Sequence, residues 1–401
     1  MARTAARLLS IALIIAGTAC VGTAAPSRSA TAKVYTQTLI GPARLLSPDF
    51  GYVVVYRIVN TTQTQSTTFG LFIYDHGHWR DATPPLATGA GGIDGVAFSD
   101  PNHGWIVEYR CDNTTDYLYR TSDGGRSWRY LGKPTGRSCG GGPTYLSFVD
   151  SEHGWMEPLE PNAPGGSLSQ TNDGGVSWKA IPGRTIIGLP CLGPVRFVSR
   201  TTGWLARCDG HLFVSRDAGA HWSTIKVKVK PDVARSFDLP RFGGEEGAIA
   251  AILGGKTASK VAFFTGSDGG GSWAQRALRP VAPCSLRTGG GFYQTFWPES
   301  IASQQVWWIV SSGHAQTTVQ LTNDAGSHWT SIAASGLPPL TCSVTGVSAV
   351  SARRAWAVAT TSSRYVGELD ATITSSWLFV TKDGGRTWKR VQLTPRVRLS
   401  S

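Results

Sequence analysis

Thr121-Ser-Asp-Gly-Gly-Arg-Ser-Trp128 is one of six copies of nearly the same eight-residue phrase. The other copies are Thr171-Asn-Asp-Gly-Gly-Val-Ser-Trp178, Ser215-Arg-Asp-Ala-Gly-Ala-His-Trp222, Gly266-Ser-Asp-Gly-Gly-Gly-Ser-Trp273, Thr322-Asn-Asp-Ala-Gly-Ser-His-Trp329 and Thr381-Lys-Asp-Gly-Gly-Arg-Thr-Trp388. Successive aspartates are 50, 44, 51, 56 and 59 residues apart. A phrase that recurs at such intervals is typical of a propeller or a solenoid.

The residue types of the phrase predict a tight turn between two strands. Asp and Ser/Thr side chains hydrogen-bond to nearby backbone amides, and the following Gly adopts a conformation that most residues resist. Apolar or alternating residues flank each copy, as expected for a β-hairpin. We therefore assign a structural role to the six aspartates, which are Asp123, Asp173, Asp217, Asp268, Asp324 and Asp383. In two copies a histidine, His221 or His328, occupies the Ser/Thr position before the Trp.

A second phrase precedes the first and predicts another hairpin. Phe98-Ser-Asp-Pro-Asn-His-Gly-Trp105 is the clearest example. A degenerate copy of the first phrase lies at Tyr74-Asp-His-Gly-His-Trp79. The two phrases together predict an all-β protein, a seven-bladed β-propeller of four-stranded antiparallel blades. The predicted blades are 43–82, 95–131, 145–181, 194–226, 245–278, 299–333 and 346–393, within a single domain at 33–401. A content of 48 Gly, 22 Pro and 15 Trp with 16% charged residues agrees with many short strands and turns.

On these motifs the chain resembles the Asp-box (BNR) repeat families, over about nine-tenths of its length. These families include sialidases, sortilin-type receptors, some endoglucanases and the photosystem II assembly and stability factors. The resemblance implies the propeller fold and not one function, because a single fold hosts many different sites.

The first 32 residues have the pattern of a secretory signal peptide. Arg3 and Arg7 precede the apolar run from Leu8 to Ala19, and Ala30-Thr-Ala32 provides small residues for cleavage. An alternative is a lipobox at Gly17-Thr-Ala-Cys20, which would place a lipid on Cys20. Either pattern predicts a secreted or extracytoplasmic protein, in the second case lipid-anchored to the outer face of the cell membrane.

The cysteines agree with export. Seven are present, and without Cys20 an even number remains, as a disulfide framework requires. In a propeller, the ends of second strands and the loops between blades share the face opposite the repeated turns, and all six remaining cysteines fall at such places. We predict the pairs Cys111–Cys139, Cys191–Cys208 and Cys284–Cys342. The chain has no Cys-x-x-Cys spacing, and we predict neither a metal nor a cofactor.

Polar residues that do not repeat are the candidates for ligand binding. They belong on second strands or in loops between blades, because function concentrates on loops held by a rigid scaffold. The candidates are Arg57, Glu108, Arg110, Glu157, Arg207, Arg241 and Glu299, placed on the face opposite the repeated turns. A solvated rim of salt bridges is the structural alternative for all seven.

Two functions remain open from the sequence. The first is a non-enzymatic binding, assembly or scaffold module for a protein or glycan ligand, most simply a monomer. The net charge of +12 suits an acidic glycan, an anionic headgroup or an acidic protein, and export argues against nucleic acid. The second is a sialidase-like glycoside hydrolase, in which Arg57, Arg110 and Arg207 clamp a carboxylate. The Phe-Arg-Ile-Pro segment of sialidases is absent from the sequence, which favours the binding module and predicts no catalytic residue.

Overall fold

A computed structural model of the chain describes most of the residues after Lys33. The described ranges are 33–62, 64–85, 92–110, 115–133, 144–158, 168–181, 192–207, 210–230, 234–254, 259–281, 299–312, 316–338, 344–369 and 371–395. Val34–Ser401 form one compact unit. No helix among the described residues has both the length and the apolar character needed to span a membrane.

The described strands form seven sheets, one for each predicted blade. The first four blades are β1 (Tyr35–Ser47), β2 (Phe50–Asn60), β3 (Gln65–Asp75), β4 (His78–Asp81); β5 (Gly92–Phe98), β6 (Gly104–Arg110), β7 (Thr115–Thr121), β8 (Arg129–Gly132); β9 (Thr144–Phe148), β10 (Gly154–Pro158), β11 (Ser169–Thr171), β12 (Lys179–Ala180); and β13 (Leu192–Phe197), β14 (Gly203–Arg207), β15 (Leu212–Ser215), β16 (Ser223–Ile225). The last three are β17 (Ala234–Phe237), β18 (Arg241–Gly243), β19 (Glu246–Gly254), β20 (Ser259–Gly266), β21 (Ala274–Val281); β22 (Glu299–Ile301), β23 (Trp307–Ser312), β24 (Thr317–Thr322), β25 (Thr330–Ala334); and β26 (Val344–Ala349), β27 (Ala355–Val366), β28 (Ala371–Thr381), β29 (Lys389–Val391). All pairs within the sheets are antiparallel and follow the chain order, so the predicted seven-bladed propeller is confirmed.

Hydrogen bonds from the first strand to the last blade close the ring. The amide of Ile40 donates to Ser376 Oγ at 2.8 Å, and the amide of Thr38 donates to Ser375 Oγ at 3.2 Å. Blade 1 therefore packs against blade 7 through residues more than 300 positions apart in the sequence. Propeller closure of this kind leaves no long unprotected sheet edge between the first and last blades.

Stacked aromatic rings hold neighbouring blades together. Trp105 of blade 2 lies flat on Phe148 of blade 3, with ring centroids 3.5 Å apart, and Trp155 repeats this on Phe197 at 3.7 Å. The indole of Trp155 also donates to the carbonyl of Ala218 in blade 4 at 2.9 Å. These two tryptophans thus bury their rings between blades, and Trp155 also satisfies its polar atom there.

The repeated phrase forms the expected turn, which we call the aspartate turn. In blade 3, Thr171 Oγ1 donates to Asp173 Oδ1 at 2.7 Å, and the amide and hydroxyl of Ser177 both donate to the same carboxylate. Gly174 lies at φ +73°, in the left-handed region that favours glycine. His221 and His328 take the place of the serine hydroxyl, each through Nδ1 at 2.6 Å from the aspartate. Hydrogen bonds within the turn therefore explain why aspartate occurs at this position of the phrase.

Asp173→Ala is expected to destabilise the protein by about 1–3 kcal/mol, because the amide and hydroxyl of Ser177 and the hydroxyl of Thr171 lose their acceptor. Neighbouring Asn172 is exposed, so Asn172→Ala is the matched control and should change stability by less than about 0.5 kcal/mol. Urea unfolding at 25 °C measures both. Equal effects of the two substitutions would contradict the assigned role of the turn.

The aspartate turns and the turns between the first two strands lie on one face, which we call the aspartate-turn face. In each blade, an amide of the third-to-fourth-strand turn donates to a carbonyl of the first-to-second-strand turn. Examples are Gly174 to Glu152 at 2.8 Å and Gly269 to Glu245 at 3.0 Å. The carboxyl ends of the innermost strands therefore point toward this face.

Blade 5 departs from the predicted boundaries, which began it at residue 245. Its innermost strand is split into β17 and β18, and both pair with β19. Phe242 pairs with Gly247 there, as Phe98 pairs with Gly104 in blade 2. A Cβ on Gly247 would lie 2.6 Å from the Phe242 ring, the same close approach that Gly104 makes to Phe98. The sequence prediction missed this hairpin because Ala248 stands where five of the other six blades carry tryptophan.

Candidate functional site

One position of each innermost strand faces the centre of the propeller at the same level. It is the first-strand residue that pairs with the second-strand residue directly after the hairpin glycine, or after the residue that replaces this glycine in blades 6 and 7. The seven pairs are Arg44 with Tyr52, Ala97 with Trp105, Ser147 with Trp155, Arg196 with Trp204, Arg241 with Ala248, Ser300 with Trp308 and Ser348 with Trp356. We call this the ring position. All seven ring residues line a central channel of about 350 Å³.

Serine at the ring position forms a hydrogen bond to the neighbouring blade. The hydroxyl of Ser147 accepts the amide of Phe197 at 2.8 Å, and that of Ser300 accepts the amide of Ala349 at 2.9 Å. Ser348 accepts the amide of Leu45 at 3.1 Å across the closure between blades 7 and 1. Hydrogen bonding between blades therefore explains the three serines at the ring position.

Arginine occupies the ring position in blades 1, 4 and 5. Arg44, Arg196 and Arg241 are half-buried, and within the described part of the chain none of them forms a hydrogen bond or an ion pair shorter than 4 Å. Burial, followed by the charges of the other two arginines, lowers the pKa of Arg196 well below its usual range. Burial and then the charge of Arg44 lower the pKa of Arg241 to about 10. The guanidinium group of arginine stays protonated at neutral pH. The channel therefore holds three positive charges that have no hydrogen-bond acceptor among the described residues.

Two carboxyl groups share this channel with the ring arginines. Glu299 directly precedes the ring residue Ser300, and Asp238 lies in the connection between β17 and β18. Glu299 is 2% exposed, and neither carboxylate oxygen has a hydrogen bond to another described residue. Burial, with a smaller contribution from the charge of Asp238, raises the pKa of Glu299 to about 8. In five other blades the corresponding position carries an apolar residue, namely Ala43, Val96, Leu146, Val195 and Val347.

A second cavity of about 510 Å³ joins the channel at the aspartate-turn face, and we call it the mouth cavity. It shares the three ring arginines with the channel, and its wall includes Arg216 and the aspartate-turn residue Gly269. Trp204 and Phe242 supply apolar surface. A pocket of this size with a few convergent polar groups is typical of a site for a small molecule or for the end of a chain.

Of the six sequence candidates whose side chains the structure describes, Arg241 and Glu299 line the channel. They belong to innermost strands, whereas the sequence placed them in loops between blades. Arg57 is a half-buried residue of β2, and Arg207 is the last residue of β14. Arg110 ends β6, and its side chain lies outside the described residues. Arg57 and Arg207, two of the three arginines of the predicted carboxylate clamp, are therefore not among the arginines that line this channel.

The two remaining glutamate candidates are buried in different surroundings. Glu108 accepts a hydrogen bond from the hydroxyl of Tyr119 at 3.0 Å. Glu157 is 1% exposed and pairs with Tyr145 across the strands, and its Oε1 has no partner among the described residues. Burial raises the pKa of Glu157 to about 8.

Arg44, Arg196 and Asp238 were not predicted as site residues from the sequence. A signal existed for Arg196 and Arg241, because each directly precedes the phenylalanine that opens a second-phrase hairpin, Phe197 or Phe242. Aligning the hairpins on this phenylalanine places both arginines at the ring position.

Several predictions fall outside the described residues. These are the signal peptide at 1–32 with Cys20, and the cysteines Cys111, Cys139, Cys191, Cys208, Cys284 and Cys342. The three disulfides and export from the cytoplasm stay predictions.

No protein-family model matches the sequence, and no curated protein sequence matches it either. Among solved structures, a prolyl endopeptidase has a TM-score of 0.52 at 12% identity, covering 90% of this chain and 51% of that one. YCF48 from Cyanidioschyzon merolae has a TM-score of 0.48 at 18% identity, covering 78% and 88%. A YCF48 bound to a D1 peptide has a TM-score of 0.47 at 18% identity, covering 76% and 83%. The likeness to the endopeptidase supports the propeller fold, and identities this low transfer no function.

Proposed function

We propose that this protein is a non-enzymatic binding propeller that holds an anionic group on the ring arginines. The observation that carries this proposal is the convergence of Arg44, Arg196 and Arg241 at one level of a closed ring, without acceptors among the described residues. Arginine recognises carboxylate, phosphate and sulfate through paired hydrogen bonds.

The electrostatics of the channel favour a bound anion. Half-buried charges of the same sign repel one another, and burial strengthens the repulsion because the local dielectric is low. Asp238 is the acid whose charge acts on both Arg196 and Arg241, so one negative charge faces three positive ones. An anionic ligand removes this imbalance and supplies the missing acceptors.

The net charge of the chain supports the same ligand class. A formal charge of +12 attracts anions over long range at low ionic strength and raises their encounter rate with the channel. A ligand of modest size suits the channel and mouth cavity, as does the acidic end of a polypeptide or a glycan. The proposed ligand enters from the aspartate-turn face, and the predicted site on the opposite face stays a prediction.

Arg196→Gln is expected to weaken sulfate binding about tenfold or more, because a charge-assisted, paired contact contributes roughly 1.5–3 kcal/mol. Calorimetric titration of sulfate into the protein at low ionic strength measures the affinity.

Arg200→Gln is the matched control, since Arg200 lies in the same blade but is exposed and pairs with Asp150 at 3.0 Å. It removes the same charge outside the channel and should change the affinity less than twofold. Equal losses in the two variants, or no saturable binding to the wild-type protein, would overturn the proposal.

A sialidase-like hydrolysis is the second candidate, and the meeting of three arginines with two acids in one channel favours it. Tyr52 does not supply the Tyr–Glu nucleophile pair of such an enzyme, because its hydroxyl donates to the carbonyl of Val96 at 3.2 Å. Tyr145 lines the channel and pairs with Glu157, but burial and the charge of Glu157 raise the pKa of Tyr145 to about 12, which disfavours the phenolate. We therefore expect no turnover of a fluorogenic sialoside. Turnover that Arg196→Gln abolishes and Arg200→Gln preserves would replace the binding function with this activity.

A further inference from the structure

The burial of the Glu299 carboxyl group in the channel is not explained by contacts with other described residues. Glu299 is nine-tenths buried or more, it lines the channel, and its two carboxylate oxygens lack partners among the described residues. Buried Glu108, by contrast, has the hydroxyl of Tyr119 as a donor. A buried carboxyl group without a partner costs free energy in the empty protein, and such groups mark places where a ligand completes the bonding.

We propose that the channel binds a zwitterionic ligand of the amino-acid class, whose protonated amine lies between Glu299 and Asp238. The anionic group of the same ligand contacts the ring arginines, so this inference rests on the proposed function for its anionic half. Amine recognition by the two acids is the new element.

The geometry of the strands places the two halves of the site close together. Glu299 and Asp238 are close enough for the charge of Asp238 to raise the pKa of Glu299, and both acids line the channel together with the ring arginines. Asp238 is three residues from Arg241 in the neighbouring blade. One oxygen of Asp238 accepts the amide of Leu239 at 2.7 Å, and the other has no hydrogen bond within the described part of the chain. The acids and the arginines therefore belong to one channel, whose volume of about 350 Å³ is sufficient for a short amino acid.

The charges in the channel favour a zwitterion over a bare cation. Three arginines create a positive potential that opposes a metal ion, and two carboxylates supply too few oxygens for calcium. A zwitterion brings its own negative charge to the arginines, so its amine enters without the same repulsion. A simple anion would leave Glu299 without a partner.

Binding of the amine is coupled to loss of a proton from Glu299. The pKa of this carboxyl is raised to about 8 in the empty channel, so the group is mainly neutral at pH 6.5. An ammonium beside it favours the charged form, and the proton leaves to solvent. Affinity for an amine-bearing ligand should therefore increase between pH 6.5 and pH 8.5, whereas affinity for the matching simple anion should not.

Butanoate and 4-aminobutanoate are suitable probes, since they differ by one amine. We expect wild-type protein to bind 4-aminobutanoate at least about tenfold more tightly than butanoate at pH 8.5. Glu299→Gln should abolish this preference without weakening the binding of butanoate, because it removes a negative charge from the channel. Ligand-observed saturation-transfer NMR measures both affinities. The substitution replaces one neutral group by another of the same shape at pH 6.5, so the fold is preserved.

Exposed Glu152 provides the control, and Glu152→Gln should keep the wild-type preference. Equal binding of the two probes to wild-type protein, or a preference that survives Glu299→Gln, would overturn the amine site and leave the anion site intact. Failure of both butanoate and sulfate to bind would instead reject the proposed function, and this inference with it.

Discussion

Between pH 5 and pH 9 the free energy of unfolding will fall, and Glu299→Gln and Glu157→Gln will each remove part of that fall. The folded-state pKa of both carboxyls is raised from 4.5 to about 8 by burial. In this interval the unfolded chain has released protons that the folded chain retains, so the unfolded state binds fewer protons and stability decreases as pH rises. Above pH 8 the penalty is complete, and each glutamate contributes on the order of 4 kcal/mol.

Glutamine mimics the neutral carboxyl, so each variant should match the wild-type protein near pH 5 and exceed its stability near pH 9. Denaturant unfolding at half-unit pH intervals measures the difference. The exposed control Glu152→Gln should follow the wild-type curve. A wild-type stability that rises over this interval, or parallel curves for all variants, would show that the two carboxyls have partners in the folded protein.

Trp155→Ala is expected to destabilise the protein by about 3–5 kcal/mol, the range for removal of a fully buried large aromatic side chain. The ring is completely buried, stacks on Phe197 at 3.7 Å and donates its indole N–H to the carbonyl of Ala218 at 2.9 Å. Its removal opens a cavity between blades 3 and 4 and leaves that carbonyl without its donor. Guanidinium unfolding at 25 °C measures the loss.

Trp155→Phe separates the two contributions, because it keeps a ring for stacking and removes the indole N–H. We expect a smaller loss, about 1–2 kcal/mol. A loss below about 1 kcal/mol for Trp155→Ala would mean that the stacked pairs do not hold the blades together. The hydrogen bonds of the turns would then be what holds the blades together.

The repeated turns were predictable from sequence because their bonding is local. Asp173, Thr171 and Ser177 lie within seven residues of one another, so their types and spacing predict the turn. The ring arginines were not predictable in this way. Arg44 and Arg196 are 152 positions apart in the sequence, and they share a level only because closure of the ring aligns the first strands of different blades.

The burial of polar side chains was also not predictable from the sequence. Glu108 and Glu157 both follow a Gly-Trp pair on a second strand, yet one has Tyr119 as a donor and the other has an unpartnered oxygen. They lie at positions of opposite parity, four and three residues after the glycine, so their side chains face different neighbouring blades. The start of blade 5 was misplaced for another reason, because Ala248 stands where five of the other six hairpins carry tryptophan.

The most direct test of the anion site is diffraction from crystals soaked in selenate, a tetrahedral dianion whose selenium scatters anomalously. The structure predicts an anomalous peak in the central channel within hydrogen-bond distance of Arg44, Arg196 and Arg241, lost in Arg196→Gln crystals and retained in Arg200→Gln crystals. A channel without a peak, at a selenate concentration that saturates the calorimetric signal, would contradict the proposed binding function.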